Sequence, residues 1–215
     1  MGTILITGAA RGIGAALHKQ ASQDGHRVIG TTRAEPNEPD WHRLDVADPG
    51  AFAALANALH GVHLDLLVCN AGVYLDKGMA LEDYTGTELQ QTFAVNVTGV
   101  FLTIQALLPC MATAARIAIV SSVMGSNERA SGTAYAYRAS KAAVTNLASN
   151  LALDLAPRGI AVGAYHPGWV QTDMGGPTAS ITVAESAKGL LARFEQLAPS
   201  TSGVFETYDG QPIPF

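Results

Sequence analysis

Short apolar runs alternate along the chain with stretches whose apolar residues recur every three or four positions, and turn residues separate the two. Gly2-Thr3-Ile4-Leu5-Ile6 opens as a buried strand and breaks into Thr7-Gly8-Ala9-Ala10-Arg11-Gly12-Ile13-Gly14. Ala15, Ala16, Leu17 and Ala21 then stand at helical spacing as far as Gly25, which suits a helix C-terminus. Val28 to Thr32 reads as a second strand and Trp41 to Val46 as a short third one. Asp48-Pro49 supplies an N-cap and a first-turn proline for a helix running to about Gly61. Leu64 to Cys69 is a fourth buried strand, Thr87 to about Ala112 a long helical region, and Arg116 to Ser121 a fifth strand. Tyr135 to Ala156 is a helix stopped by Pro157. Ile160 to Tyr165, a helix from about Val183 to Leu197, and Gly203 to Glu206 complete the alternation.

That alternation predicts an α/β chain: a single-domain Rossmann fold, a doubly wound parallel sheet of about seven strands in the order 3-2-1-4-5-6-7 with helices on both faces. Composition agrees, because 48% hydrophobic and 14% charged residues suit a sheet covered on both sides. No Pro/Ser-rich linker or charge run divides the 215 residues, so one domain spanning 1–215 is expected. A net charge of −5 without a basic cluster argues against a nucleic-acid or anionic-membrane partner. No leader pattern opens the chain and no apolar run was expected to approach the ~18 residues of a membrane span, which points to a soluble, cytoplasmic protein. Cys69 and Cys110 lie in apolar surroundings and read as buried reduced thiols. The six histidines show no ligand spacing, so no metal is implied.

The first strand turns into its helix through three glycines. Gly8 permits the tight turn, Gly12 lets backbone approach a pyrophosphate, Gly14 allows close packing of helix on strand, and the helix N-terminus offers free N–H groups to the phosphates. An acidic residue at the end of the second strand would bind the ribose 2′-hydroxyl of NAD; Thr32 and Arg33 stand there instead. With Arg11 inside the turn, two guanidiniums favour a 2′-phosphate, hence NADP(H), with NAD(H) as the second choice. Asp45 is placed to accept from the adenine amino group or to cap the next helix. Asn70-Ala71-Gly72 would bring backbone against the adenine ribose. Asn96, amid apolar residues, must be hydrogen-bonded. Ser122 follows the fifth strand at the carboxyl edge, where ligands sit in such sheets. Tyr137 and Lys141 are one helical turn apart on one face, and a nearby ammonium draws a phenol toward ionisation. Such a pair can transfer a proton while a nicotinamide transfers hydride. Tyr135 faces elsewhere.

Taken together, Thr7-Gly8-x-x-x-Gly12-Ile13-Gly14, Asp45, Asn70-Ala71-Gly72, Asn96, Ser122, Tyr137-x-x-x-Lys141 and Pro167-Gly168 resemble, over essentially the whole chain, the short-chain dehydrogenase/reductase family. The surroundings of Tyr137 and the Tyr208-Asp209-Gly210 segment look like the branch containing the bacterial C-factor and the insect sniffer carbonyl reductase. The resemblance implies Tyr137 as acid/base, Lys141 on the nicotinamide ribose, Ser122 on the substrate carbonyl, and Asn96 holding a water that links Lys141 to solvent. It implies a cofactor site of Gly8, Ala10, Arg11, Gly12, Ile13, Gly14, Thr32, Arg33, Asp45, Val46, Asn70, Ala71, Gly72, Pro167, Gly168 and Val170, with Thr172 on the nicotinamide carboxamide. The expected activity is reduction of a small ketone or aldehyde, or oxidation of an alcohol. A C-factor-like signalling role is the alternative, and a sugar-nucleotide epimerase is weaker still. Cys69 replaces a common asparagine, and the segment between Thr172 and Val183 forms a short, mobile lid. A homodimer or homotetramer could form through Leu147, Leu151 and Leu155, unless those leucines pack on the sheet.

Overall fold

The computed structural model describes residues 1–215. Seven strands, β1 (Thr3–Ile6), β2 (Arg27–Thr32), β3 (Trp41–Arg43), β4 (Leu64–Cys69), β5 (Met111–Val120), β6 (Ala161–His166) and β7 (Phe205–Thr207), form one sheet in the order β3-β2-β1-β4-β5-β6-β7. Every neighbouring pair is parallel. Alternate strand residues face opposite sides, so Ile4 and Ile6 enter one core while Leu5 enters the other. On the Leu5 side the sheet is covered by α2 (Ala51–Ala58), α4 (Gly99–Leu107) and α5 (Tyr135–Leu155), through Phe52, Leu55, Ile104, Leu107, Val144 and Ala148. On the other side lie α1 (Gly12–Gln23) and α6 (Val183–Gln196), contributing Leu17, Ala21, Leu190 and Phe194. Each fully buried Leu, Ile or Phe contributes roughly 1.5–3 kcal/mol, and these two layers hold the sheet between them. The chain moves outward from β1 to β2 and β3, then returns to place β4 on β1's other side. That reversal opens a crevice beyond the carboxyl ends of β1 and β4.

Several boundaries differ from the sequence expectation. β3 ends at Arg43, because Leu44 is drawn into the core and the chain turns at Asp45. The second helix starts at Ala51, and Asp48 takes the Gly50 N–H at 2.9 Å just ahead of it rather than capping from inside. β5 begins at Met111, five residues early, through an alanine-rich stretch whose Leu64 to Met111 pairing precedes a register shift. The long helix is not uniform: α3 (Gly86–Phe93) and α4 are joined by one π-helical turn, Ala94–Thr98. The expectation of no span-like run is also corrected. Gly86–Cys110 is long and apolar enough to cross a membrane by length and composition, with mean hydropathy 1.7. Here Val100, Thr103, Ile104 and Leu107 of that helix are buried in the domain. Of the three leucines considered for self-association, Leu155 is buried and Leu147 and Leu151 pack on the sheet core; the exposed leucine of α5 is Leu153.

Candidate active site

The glycine turn closes as its residue types require. Gly8 and Gly12 have φ of +65° and +56°, and a Cβ on Gly14 would stand 2.3 Å from the Gly8 carbonyl oxygen. Arg11 at the N-cap makes no side-chain capping bond and the first turn of α1 has no acidic residue, which leaves the N–H groups of Gly12 and Ile13 for an anion. Ala10 is exposed beside them. Thr7 ties this turn to the next strand: its hydroxyl donates to Val68 O and accepts from Asn70 N–H (3.0 Å) and Ala71 N–H (3.1 Å). Asn70 Nδ2 in turn donates to Thr7 O at 2.9 Å. Thus β1 and β4 deliver their turns to one edge as a single hydrogen-bonded unit. The donors, the glycines and the crevice fit a dinucleotide.

At the rim of that cleft the two arginines differ. Arg33 is exposed and takes part in no ion pair. Arg11 pairs with Asp173 at 2.6 Å, both side chains being largely exposed. Thr32 Oγ1 accepts from Ala34 N–H. Asp45 is exposed, and its Oδ1 accepts from Ala47 N–H at 3.0 Å, so a local turn, rather than a helix cap, is its protein role. Val46 backs Asp45 against the long helix, where only glycine at position 99 leaves room: a Cβ there would lie 2.5 Å from Val46 O.

Across the crevice, Asn96 sits in the π turn, fully buried. The extra residue of that turn aims its amide at the loop after β4, where Oδ1 accepts from Val73 N–H and Nδ2 donates to Val73 O, both at 2.9 Å. Nδ2 also donates to Ser140 Oγ at 3.0 Å, linking the turn to α5. A Cβ on Gly72 would lie 3.3 Å from Asn96 Oδ1 and 3.7 Å from Lys141 Nζ, so this glycine keeps the amide and the amine in close company.

Tyr137 and Lys141 are both buried on α5. Lys141 Nζ donates to Val120 O at 2.8 Å and lies 5.7 Å from the Tyr137 ring centre. Burial pushes the lysine down to about 8. The same burial pushes the Tyr137 phenol up to about 12, against the expectation that the ammonium would win. Desolvation of the phenolate outweighs an amine that is aimed at a carbonyl. The nearby Ser122 hydroxyl works in the lowering direction, while Tyr74 and Asp76 raise the phenol further. Within ordinary bonding geometry Ser122 Oγ accepts from Met124 N–H at 3.1 Å, which fixes its rotamer beyond β5. Tyr135 points away, edge-on to Tyr84.

Two residues here escaped the sequence reading. Tyr74 stacks on the Tyr137 ring at 4.3 Å between centres. Asp76, fully buried, accepts from Tyr84 OH and Ala136 N–H, both at 2.8 Å. Their one visible signal was position, a few residues beyond Asn70-Ala71-Gly72.

The segment after β6 completes the mouth. Gly168 has φ +89°, and a Cβ there would meet Ile181 at 2.4 Å, so Pro167-Gly168 brings the chain sharply round. Val170 is buried and bridged to Ile181; Gln171 N–H reaches Ile181 O. Trp169 Nε1 donates to Gly175 O and Lys77 Nζ to Met174 O. The expected lid is therefore a compact, internally bonded loop. Thr172 faces Gly12, whose Cβ would be 3.5 Å from its methyl group. His166 is held neutral, pushed down to about 4 by burial and the Arg129 charge, and its carbonyl accepts from Tyr208 N–H.

Known proteins resemble the chain in sequence and fold. The chain is similar to the C-signal protein of Myxococcus xanthus, 40% identical over 157 residues that cover 71% of this chain and 93% of that one. Its fold superposes on the NADPH-bound carbonyl reductase from chicken fatty liver with a TM-score of 0.90 and 28% identity, covering 100% and 99% of the two chains. The carbonyl reductase Sniffer of D. melanogaster gives 0.92 and 28%, with both chains fully covered. Residues 2–181 match the sequence profile of the short chain dehydrogenase family, and the chain belongs to that family of oxidoreductases.

Proposed function

We propose that the protein is an NADP(H)-dependent reductase of ketone or aldehyde carbonyls, the same site run backwards oxidising the alcohol. The observation that carries this is the buried Tyr137 phenol, set beside Lys141 and Ser122 at the carboxyl edge of the sheet. A purely regulatory nucleotide-binding protein would have no need of a sequestered proton donor. The dinucleotide, when bound, supplies the hydride that adds to the carbonyl carbon. Tyr137 donates its proton to the carbonyl oxygen as negative charge develops there, and the Ser122 hydroxyl donates a hydrogen bond to the same atom. Burial pushes the phenol up and keeps it protonated, so it has a proton to give. Lys141, held by Val120 O beside Tyr137, would bind the nicotinamide ribose. Asn96 keeps the Val73 loop fixed beside Lys141. Gly8, Gly12, Ile13, Gly14, Asn70, Ala71 and Gly72 hold the pyrophosphate and adenosine. The NADPH-bound chicken carbonyl reductase, which shares the whole fold, supports the choice of cofactor.

The test is NADPH oxidation against a panel of ketones, aldehydes and quinones, run beside Tyr137→Phe with NADPH binding followed separately by fluorescence. Removing a general acid costs roughly 10²–10⁴-fold in turnover and leaves cofactor affinity unchanged. NADPH binding without turnover of any carbonyl by the parent protein overturns the reading.

A further inference from the structure

The helix that carries Tyr137 cannot cap itself. The first N–H groups of any helix lack intrahelical acceptors. The N-cap of α5 is Ala134, in left-handed backbone (φ +50°), with no side chain able to accept and no acidic residue in the first turn. The acceptors arrive from elsewhere in the chain. Asp76 Oδ2 takes the Ala136 N–H at 2.8 Å and the Tyr137 N–H at 3.4 Å, while Tyr84 OH accepts from Tyr135 N–H at 3.1 Å and donates to Asp76. Three successive amides thus end on one carboxylate and its phenol partner. Asp76 is fully buried, and its second oxygen is buried without any protein donor. No basic side chain forms an ion pair with it; the positive end of α5 and the Tyr84 hydroxyl offset its charge.

We propose that Asp76 is the positioning residue of the catalytic phenol, a cap that fixes Tyr137 against the loop leading out of Asn70-Ala71-Gly72. The inference rests on the proposed role of Tyr137. The loop that bears Asp76 also bears Val73, which Asn96 grips from both sides, and Tyr74, whose ring lies flat on that of Tyr137. One short segment therefore sets both the backbone at the start of α5 and the plane of the Tyr137 ring. An ordinary cap, supplied by a residue just ahead of the helix, would stabilise α5 equally and fix none of these. The carboxylate also imposes an electrostatic burden on phenolate formation. The groups facing Tyr137 are Lys141 on its own helix, Tyr74 and Asp76 from the loop after β4, and Ser122 from the end of β5. Arg138, next along α5, is turned to Met124 O, Arg129 O and Ser131, and His166 at the end of β6 is neutral. Asp76 is the one anion in that set.

Two substitutions separate positioning from simple stability. Asp76→Asn keeps an oxygen to accept the Ala136 and Tyr137 amides and removes the charge. Asp76→Ala removes both. With whichever panel carbonyl the parent protein reduces, Asp76→Ala is expected to lose about 100-fold in kcat, the effect of a displacement near 1 Å, while its KM for NADPH changes by less than about threefold. Asp76→Asn is expected to recover most of that loss. Parent-like kcat in Asp76→Ala, or an Asp76→Asn variant no more active than Asp76→Ala, overturns the proposal, as does a loss confined to thermal stability. Should Asp76→Ala fail to fold, Asp76→Ser, whose hydroxyl is too short to hold both amides, takes its place in the same comparison. Tyr137→Phe run in parallel distinguishes the two levels of the argument: if it still turns over, the proposed chemistry falls and the positioning role with it. If it is inactive while both Asp76 variants behave as the parent, only the positioning role falls.

Discussion

The two arginines proposed for the adenosine end of the cleft make unequal predictions about cofactor choice. Arg33 stands at the end of β2 with no ion pair, so its guanidinium is free for a 2′-phosphate. Arg11 already holds Asp173 at 2.6 Å and must loosen that contact to help. A hydrogen bond to a charged group contributes about 1.5–3 kcal/mol, and 1.36 kcal/mol is tenfold, so Arg33→Ala should weaken NADPH binding by roughly 10- to 150-fold. NADH, lacking the phosphate, should be affected by less than about threefold. An exposed ion pair is worth up to ~1 kcal/mol, so Arg11→Ala should cost up to about fivefold less than Arg33→Ala. Asp173→Asn, which releases Arg11, should tighten NADPH by about the same small factor. Dissociation constants from nicotinamide fluorescence at fixed ionic strength, for both cofactors and all three variants, provide the check. The Arg33 effect should also shrink with added salt, since both charges are exposed. An unchanged NADPH to NADH ratio in Arg33→Ala refutes the assignment; a larger loss in Arg11→Ala than in Arg33→Ala refutes the ranking.

Two further outcomes follow from the packing. Gly14→Ala places a methyl group 2.3 Å from Gly8 O and 2.6 Å from Asn70 Nδ2, both fixed parts of the cradle. It should cost roughly 1–3 kcal/mol, several degrees of Tm, and measurable NADPH affinity, whereas a Tm equal to that of the parent would show that the turn yields freely. Lys141 titrates at about 8 in the folded protein against 10.5 in the free side chain, so the folded state gives up this proton first. Its buried charge therefore destabilises the fold fully below pH 8, and that penalty is relieved as pH rises from about 8 toward 10. Relative to Lys141→Met, the parent should gain Tm across that window, and parallel Tm curves for the two proteins would contradict the burial argument.

The parts of the site legible in the sequence are those whose residue type is dictated by local geometry. A strand followed by Gly8, Gly12 and Gly14 announces its turn because left-handed backbone and a close approach admit little else. Tyr137 and Lys141 are legible because four residues is one helical turn. Asp76 was not, since a carboxylate in a polar loop looks like any solvated charge until a helix start sixty residues away is seen to lack acceptors. The π turn at Asn96 was hidden for a similar reason. One extra residue leaves the apolar periodicity on either side nearly intact, and what it changes is the direction of a single amide. The early start of β5 went unread because Ala112, Ala114 and Ala115 have no strand preference of their own. Burial also reversed the electrostatic expectation at Tyr137, because a sequence reveals which charges are neighbours but not how much water they have lost.

The site is built with two grades of rigidity. The contacts around Tyr137 and Lys141 are mostly buried or partly buried and end on backbone or a buried partner: Lys141 on Val120 O, Asn96 on Val73, Asp76 on Ala136. The contacts that hold the loop after β6 across the cleft are Arg11 with Asp173 and Lys77 with Met174 O, both exposed. Buried bonds cannot be exchanged for water without loss, whereas exposed ones can, at a net difference of ~1 kcal/mol or less. Displacing the loop should thus leave those contacts in place, and under the proposed function the loop is the expected determinant of which substrates enter. Trp169 and Met174, the large apolar side chains it exposes, are accordingly the first positions at which substrate preference should change without altering the pH dependence of turnover.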